Sequence, residues 1–387
     1  MAQQETKKQK IVLCMIVKNE AKVIERCFDS VRSFVDEYVI CDTGSTDGTQ
    51  ELMKKYWKKH NLKGEVISKP WVSFCHNRQE SFDLGKGRGD YIMTIDADEV
   101  FAPFENNTPA LNKQVVALPE LTCDRVEVKT SYSVIQYNRT QFYKDGLNWT
   151  WNWPIHEVCS SSEEKTTETL KNACVVPTID GARATDEKRY QRDAIVFEEW
   201  VLDNPEDARG WFYLAQSYRD AGMPEKGLMP LQQCLKYSQW DEEIYLAALR
   251  IGRYKIESGE SMANVINDFL HAYNYRPTRL EALYPIVAYY RGEDKYHLAI
   301  LFGEKALKLP YPTEDRLFVE PDAYEWRLRD ELGVAYYWVG RYGKSLKIIK
   351  EALANPRANI PESDRERMLK NVKFAEEAID NAKENQN

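Results

Sequence analysis

The sequence contains no C-x-x-C pair and no regular cysteine spacing. Its eight cysteines (Cys14, Cys27, Cys41, Cys75, Cys123, Cys159, Cys174, Cys234) are scattered, several of them within apolar runs. A disulfide framework is therefore not expected, and reduced, mostly buried thiols in a cytoplasmic protein are. Long apolar stretches are also missing. The first, Ile11–Val17, is followed at once by Lys18, Asn19 and Glu20. That is too short for a signal-peptide core and far too short for a transmembrane segment, so residues 1–10 read as a disordered polar tail before a buried strand. Basic excess is absent: the net charge of −8 argues against nucleic acid as a partner. Histidine is scarce, with five in 387 residues, so each can be weighed singly. A chain of this length is too long for one ordinary core and predicts two or three domains.

What is present falls into three stretches. Over the first hundred residues strands and helices alternate. "IVLCMIV", "EYVICD", "GEVISKP" and "DYIMTIDAD" read as strands, and the segments between them as helices; the first helix carries Val23, Ile24, Cys27, Val31 and Phe34 on one face. Such alternation implies a parallel sheet covered by helices, with ligands bound beyond the carboxyl ends of its strands. Three strand ends there are polar or acidic: "KNE", Asp42, and the cluster Asp96, Asp98 and Glu99. From residue 106 to about 180 the pattern becomes β-rich, as in "RVEVKTSYSVIQY" and "FYKDGLNWTWNWPIHEVC". The predicted α/β domain thus spans 11–180, divided into a nucleotide-binding half (11–105) and an acceptor and metal half (106–180).

From 185 to 387 only helical patterns remain. Leu214, Ala215, Tyr218, Gly222, Gly227, Leu231 and Cys234 recur at the same spacing as Leu332, Gly333, Tyr336, Gly340, Ser345, Ile349 and Ala352. Small residues where paired helices approach, a large one between them and a glycine at the turn resemble the tetratricopeptide repeat. Weaker copies lie around 251–271, with Gly259, and 283–306, with Ala299 and Ala306. "DRERMLKNVKFAEEAI" reads as a capping helix. A repeat of this kind predicts a concave surface for a partner or for a second copy of the chain, a homodimer.

The acidic cluster carries the chemistry. Asp96 and Asp98 are two apart, and in an extended segment such residues point to one side. A hard divalent cation takes oxygen ligands, and a nucleotide diphosphate supplies more of them. One carboxylate of a D-x-D pair then holds the metal while the other reaches the ribose or shares the ion.

Four stretches, "CMIVKNEAKVIERCFDSV", "VICDTGSTDGTQEL", "HNRQESF" and "GDYIMTIDADEVF", occur in the order and at the spacing of inverting glycosyltransferases of family 2, and the chain resembles that family closely over about 10–105 and more loosely to about 160. The resemblance implies a GT-A fold and transfer of a sugar from a UDP-sugar to a protein, glycan or lipid-linked acceptor, with Mn2+ or Mg2+ as cofactor. It implies that Asp42 accepts a hydrogen bond from uracil, and that Arg78 approaches the donor's phosphates or base. Val17, Asn19 and Glu20 would line the nucleotide pocket, with Asp96 on the nucleotide-sugar and Asp98 as principal metal ligand. His156 would complete the metal site, and Glu157 would be the catalytic base, with Glu99 as second candidate. Strand alternation opposes placing both His156 and Glu157 in one site unless the chain bends near Pro154. Simpler roles stand beside these: a helix N-cap for "TGSTDGT", a first-turn helix carboxylate for Glu20, and a packed histidine for His156.

Two other functions compete. A nucleotidyltransferase also uses alternating strands and helices with acidic metal ligands, but it calls for a Gly-rich basic loop after the first strand, and "KNEAKV" has no glycine. A non-catalytic repeat adaptor with a degenerate front domain would not be expected to keep Asp42, Asp96, Asp98 and His156.

Overall fold

The computed structural model describes residues 9–105, 108–112, 116–132, 135–183 and 186–384. Most of the expected N-terminal tail (1–8) and the expected domain boundary at 185 lie outside the described residues. The chain divides into two compact units, Met1–Leu202 and Asp203–Asn387.

In the first unit, β1 (Ile11–Val17) is apolar at every position and buried along nearly its whole length. An uninterrupted run of this kind suits a strand covered on both faces. It is followed by α1 (Ile24–Val31), β2 (Glu37–Asp42), α2 (Thr49–His60), β3 (Lys63–Ser68), α3 (Phe74–Gly85) and β4 (Tyr91–Met93). Helix α1 turns Ile24, Cys27, Phe28 and Val31 inward, and Phe28 packs edge-on against Tyr38 with ring centres 5.0 Å apart. Burying a side chain of that size is worth about 1.5–3 kcal/mol. Next come β5 (Glu99–Glu105), β6 (Thr108–Pro109), β7 (Arg125–Tyr132), β8 (Ile135–Lys144), β9 (Thr150–Asn152), β10 (Val158–Ser160), β11 (Thr167–Pro177) and α4 (Arg189–Asp203).

The main sheet has the strand order β3-β2-β1-β4-β8-β7-β11-β5-β6, and β9 and β10 form a separate antiparallel pair. β3, β2, β1 and β4 are mutually parallel, whereas β8 runs antiparallel to β4. The nucleotide half expected from strand–helix alternation is this parallel part. Its register sets Val17 beside Asp42 and Asp42 beside Ser68, so the carboxyl rim is level across three strands. β4 stops at Met93, earlier than the strand read from "DYIMTIDAD", and the acidic cluster lies beyond it.

The second unit is entirely helical among the described residues. α5 (Ala208–Asp220) and α6 (Pro224–Tyr237), α7 (Asp241–Glu257) and α8 (Met262–Tyr275), and α9 (Tyr284–Gly292) and α10 (Tyr296–Ala306) form successive pairs. A short π-helix, Ala323–Arg327, leads into α11 (Leu328–Trp338), which pairs with α12 (Tyr342–Ala354); α13 (Glu362–Glu384) closes the array. The repeat positions behave as read from sequence. Gly222, Gly259 and Gly340 sit at the turns with φ of 79°, 95° and 76°, a region that favours glycine. At the third turn Asp294 takes φ 56° instead. Where helices approach, a Cβ on Gly333 would stand 2.4 Å from Ile349 Cγ1, and Ser345 Oγ donates to the Gly333 carbonyl at 2.7 Å.

Candidate active site

Asp42 closes β2 with no exposed surface. Its Oδ1 accepts from Gly44 N at 3.0 Å, Ser45 N at 2.9 Å and Gln50 Nε2 at 2.9 Å. Burial alone would raise its proton affinity, but the donors from Ser45, Gln50 and Gly44 hold its carboxyl below the usual range. Its Oδ2 is buried without any hydrogen-bond partner. A charged acceptor left unmade in this way costs stability, so the rim holds an unsatisfied demand for a donor.

The loop after β1 is clipped to the turn after β2. Asn19 takes φ 60°, its N donates to Ser45 Oγ at 2.9 Å, and its Oδ1 accepts from Thr46 N at 2.8 Å. Val17 O accepts from Thr43 N at 2.9 Å, and Glu20 N donates to Thr49 Oγ1 at 2.9 Å. Asp47 Oδ1 accepts from Thr49 N at 3.1 Å, but the N-cap of α2 is Gly48 and no side chain caps the helix, so the simpler N-cap role read for "TGSTDGT" is not found. Val17 and Asn19 thereby help shape the rim around Asp42 through their backbone and amide groups.

Beyond β4, Asp96 and Asp98 part company. Asp96 Oδ1 accepts from Arg78 Nη2 at 2.7 Å, and its Oδ2 lies 3.7 Å from Arg139 Nη1. Arg78 Nε also donates to Glu157, and Arg139 Nη2 to Glu99. The result is a chain of alternating charge: Glu157, Arg78, Asp96, Arg139, Glu99. Burial opposes the ionised form of Asp96, but Arg78 and then Arg139 hold its carboxyl below the usual range. Glu99 also accepts from Asp96 N at 3.0 Å, which folds the acidic turn back on itself. That turn is why the expected shared side for Asp96 and Asp98 does not form: neither residue is in a strand.

Asp98 belongs to a second group with Glu20. Burial, and then the neighbouring Asp96, raise the Asp98 carboxyl. Burial pushes Glu20 up to about 7, and Asp98, Asp96 and Asp47 add to the effect against a hydrogen bond from Ala182 N. Like charges gathered out of water favour protonation or a cation.

His156, expected beside Asp98 in a metal site, is exposed in this structure. His156 adopts φ 53° after Trp153 at φ 67°, and its exposed ring stacks over Phe197 at 6.3 Å and 12°. The bend near Pro154 turns Glu157 inward to Arg78 and His156 outward. Among the described residues no three His, Cys, Asp or Glu side chains gather to hold a metal. A protein-built cage therefore does not fit; the crowded carboxylate of Asp98 fits a cation as a single protein ligand.

Glu157 is held in place by an ion pair. Its side chain is 9% exposed and steadied by Arg78, whose guanidinium lies 5.4 Å from the centre of the Trp151 ring. Gln50, Arg139 and Asp180, whose charge also raises the Asp98 carboxyl, are not singled out by the sequence as site residues. None of the three lies in a pattern that marks it in sequence. All eight cysteines are unpaired, six of them buried. No helix among the described residues is long and apolar enough to cross a membrane.

Comparison with known proteins agrees with this geometry. Residues 12–161 match the family model described as "Glycosyl transferase family 2". The chain is 26% identical over 237 residues to a TPR repeat-containing protein of Synechococcus elongatus, covering 58% of this chain and 55% of that one. An uncharacterized glycosyltransferase of Rickettsia felis is 38% identical over 91 residues, 24% of this chain and 29% of the relative. Chondroitin synthase of Pasteurella multocida is 36% identical over 90 residues, 22% of this chain and 9% of the synthase. The chain thus spans about half the length of the cyanobacterial relative and under a third of the rickettsial one. With its parallel rim and its repeated helix pairs, the chain carries a glycosyl transferase family 2 domain at residues 12–161, followed by a tetratricopeptide-like helical repeat.

Proposed function

We propose that the first unit is a glycosyltransferase that moves a sugar from a UDP-sugar to a protein, glycan or lipid-linked acceptor, with inversion at the anomeric carbon. The observation that carries this reading is the partnerless, buried Oδ2 of Asp42 at the carboxyl rim of the parallel strands. A uracil N–H is the kind of donor it calls for. Arg78 is near enough to Asp96 and Glu157 to serve the donor's phosphates and the base region together.

In the reaction, an acceptor nucleophile attacks C1 of the sugar as the bond from C1 to the phosphate oxygen breaks. UDP leaves with that electron pair. Glu157 takes the acceptor's proton, which requires it to lie within hydrogen-bond reach of the nucleophile. Mn2+ or Mg2+ bound at Asp98 would neutralise charge on the departing diphosphate. We read the repeat unit as the recognition part, for a protein acceptor or a second copy of the chain, and the unpaired thiols as suited to a reducing cytoplasm. Calorimetric titration with UDP, with and without Mn2+, tests the reading. Binding that Mn2+ strengthens is expected, and no binding of UDP in either condition refutes it.

A further inference from the structure

Between β11 and α4 the chain crosses the Asp98 side of the site as a strap, residues 178–183, beyond the segment that matches the family. Thr178 N and Oγ1 donate to the Asp98 carbonyl at 2.9 and 2.6 Å. Arg26 grips Asp180 through two hydrogen bonds of 2.8 and 2.6 Å. Ala182 N reaches the two carboxylate oxygens of Glu20 at 3.4 and 3.3 Å. Gly181 passes so close to Asp98 that a Cβ there would stand 2.8 Å from Oδ2.

Backbone N–H groups carry partial positive charge. The strap sets the Ala182 N–H against Glu20 and packs the Gly181 backbone against Asp98, carboxylates crowded by Asp96, which is also the place where a cation would bind. We propose that the strap is a built-in competitor of the cation: its backbone at Gly181 and Ala182 plugs the pocket of Asp98 and Glu20, and a divalent cation with a nucleoside diphosphate enters only when the strap lifts. The inference rests on the donor reading above.

The closed strap is built to be released. Ile179, a β-branched residue, is held at φ 55° and is 47% exposed, so closure strains the backbone and buries no large apolar group there. The latch is an exposed ion pair, with Arg26 and Asp180 side chains 41% and 49% accessible, and water screens it. Once opened, the strap leaves Glu20 and Asp98 without their backbone partners, and a cation is the natural replacement.

Two variants of the full chain test this. Gly181→Ala places a methyl group against Asp98 and wedges the strap off it; Asp180→Asn weakens the latch and also removes a negative charge near Asp98, a change that by itself would weaken cation binding, so tighter binding by that variant reports release of the strap. Calorimetry with UDP and Mn2+ should show both variants binding more tightly than the unaltered protein, by roughly threefold, the factor expected for loss of one exposed ion pair. In the unaltered protein, UDP with Mn2+ should speed amide hydrogen exchange at Gly181 and Ala182. Equal or weaker binding by both variants, or slower exchange when ligand is added, overturns the proposal, because the strap would then be inert or part of the bound state. Failure of every form to bind UDP overturns the donor reading as well, and so is distinct from failure of the strap alone.

Discussion

Replacing Arg78 by methionine should damage stability as well as donor binding, and the two effects can be separated. Arg78 is 13% exposed and clasps Asp96 at 2.7 Å on one side and Glu157 on the other. Methionine keeps much of the side chain's bulk and its place beside Trp151. It leaves Glu157, 9% exposed, with an unpaired charge, while Asp96 keeps Arg139 at 3.7 Å. Removing one partner of a buried ion pair costs about 3–5 kcal/mol. Asp96 is 37% exposed, so water recovers part of that, and about 2–3 kcal/mol is the expected loss. For a unit of this size such a loss lowers Tm by roughly 5–10 °C. Chemical denaturation of Arg78→Met, Glu157→Gln and the double variant gives the coupling directly. Glu157→Gln alone should recover much of the Arg78→Met loss when the two are combined, because the orphaned charge is gone. If Arg78→Met costs under about 1 kcal/mol, or if the effects of the two substitutions simply add, the alternating-charge chain is not a coupled unit.

Asp42→Asn can keep all three donors on its remaining oxygen while its amide replaces the partnerless Oδ2. It should fold normally and lose about 10- to 100-fold in UDP affinity by calorimetry, the scale of a hydrogen bond to a charged group; unchanged affinity would sink the uracil assignment. Glu157→Gln should keep UDP binding within about twofold and lower turnover by about 100-fold or more in a UDP-release assay, and full turnover would redirect attention to Glu99. Glu37 is 2% exposed; burial opposes its charge, but hydrogen bonds from Lys63, Lys10 and Arg88 hold it at about 2. A depressed carboxyl stabilises the fold above the unfolded value near 4.5 and ceases to do so as pH falls towards 2, so acid titration of Glu37→Gln should show about 1–2 kcal/mol less stability at neutral pH and no deficit near pH 2, after discounting for the exposed lysines. In the repeats, Gly333→Val must force aside Ile349 and should cost about 1–3 kcal/mol by urea denaturation.

Much of the fold follows from patterns that are local in sequence. β1 is apolar because it is covered on both faces, and α1 repeats its apolar residues at the helical period because one face meets the sheet. The repeats were legible for a steric reason. Gly333 and Ser345 are small because two helices meet there, and Gly222, Gly259 and Gly340 are glycines because the turns need positive φ. Asp294 shows how that signal weakens, since an aspartate fills the same conformation and leaves no glycine to find. The strand that ends at Met93 reads as longer in sequence because Thr94 and Ile95 are both β-branched and suit a strand. Hydrogen bonding, not hydropathy, ends β4, where Glu99 turns back onto Asp96 N.

The site residues divide along the same line. Asp42 stood out as the end of a strand that hydropathy marks, whereas Arg78, inside α3, was singled out only by the "HNRQESF" stretch. The exposed setting of His156 was not legible, because it depends on two backbone conformations, at Trp153 and His156, that no residue type announces. The strap was invisible for a further reason. Its contacts to Asp98 and Glu20 come from backbone N–H groups, which every residue but proline carries, so "TIDGAR" holds no chemical signature of a ligand. What it does hold is Gly181, the one residue there whose lack of a side chain the Asp98 carboxylate requires. A glycine needed for close approach rather than for a turn looks, in sequence, like any other loop glycine. Only the position of the carboxylate it faces makes Gly181→Ala an informative substitution, and that position is fixed by a turn 83 residues earlier, where Asp98 leaves the parallel rim.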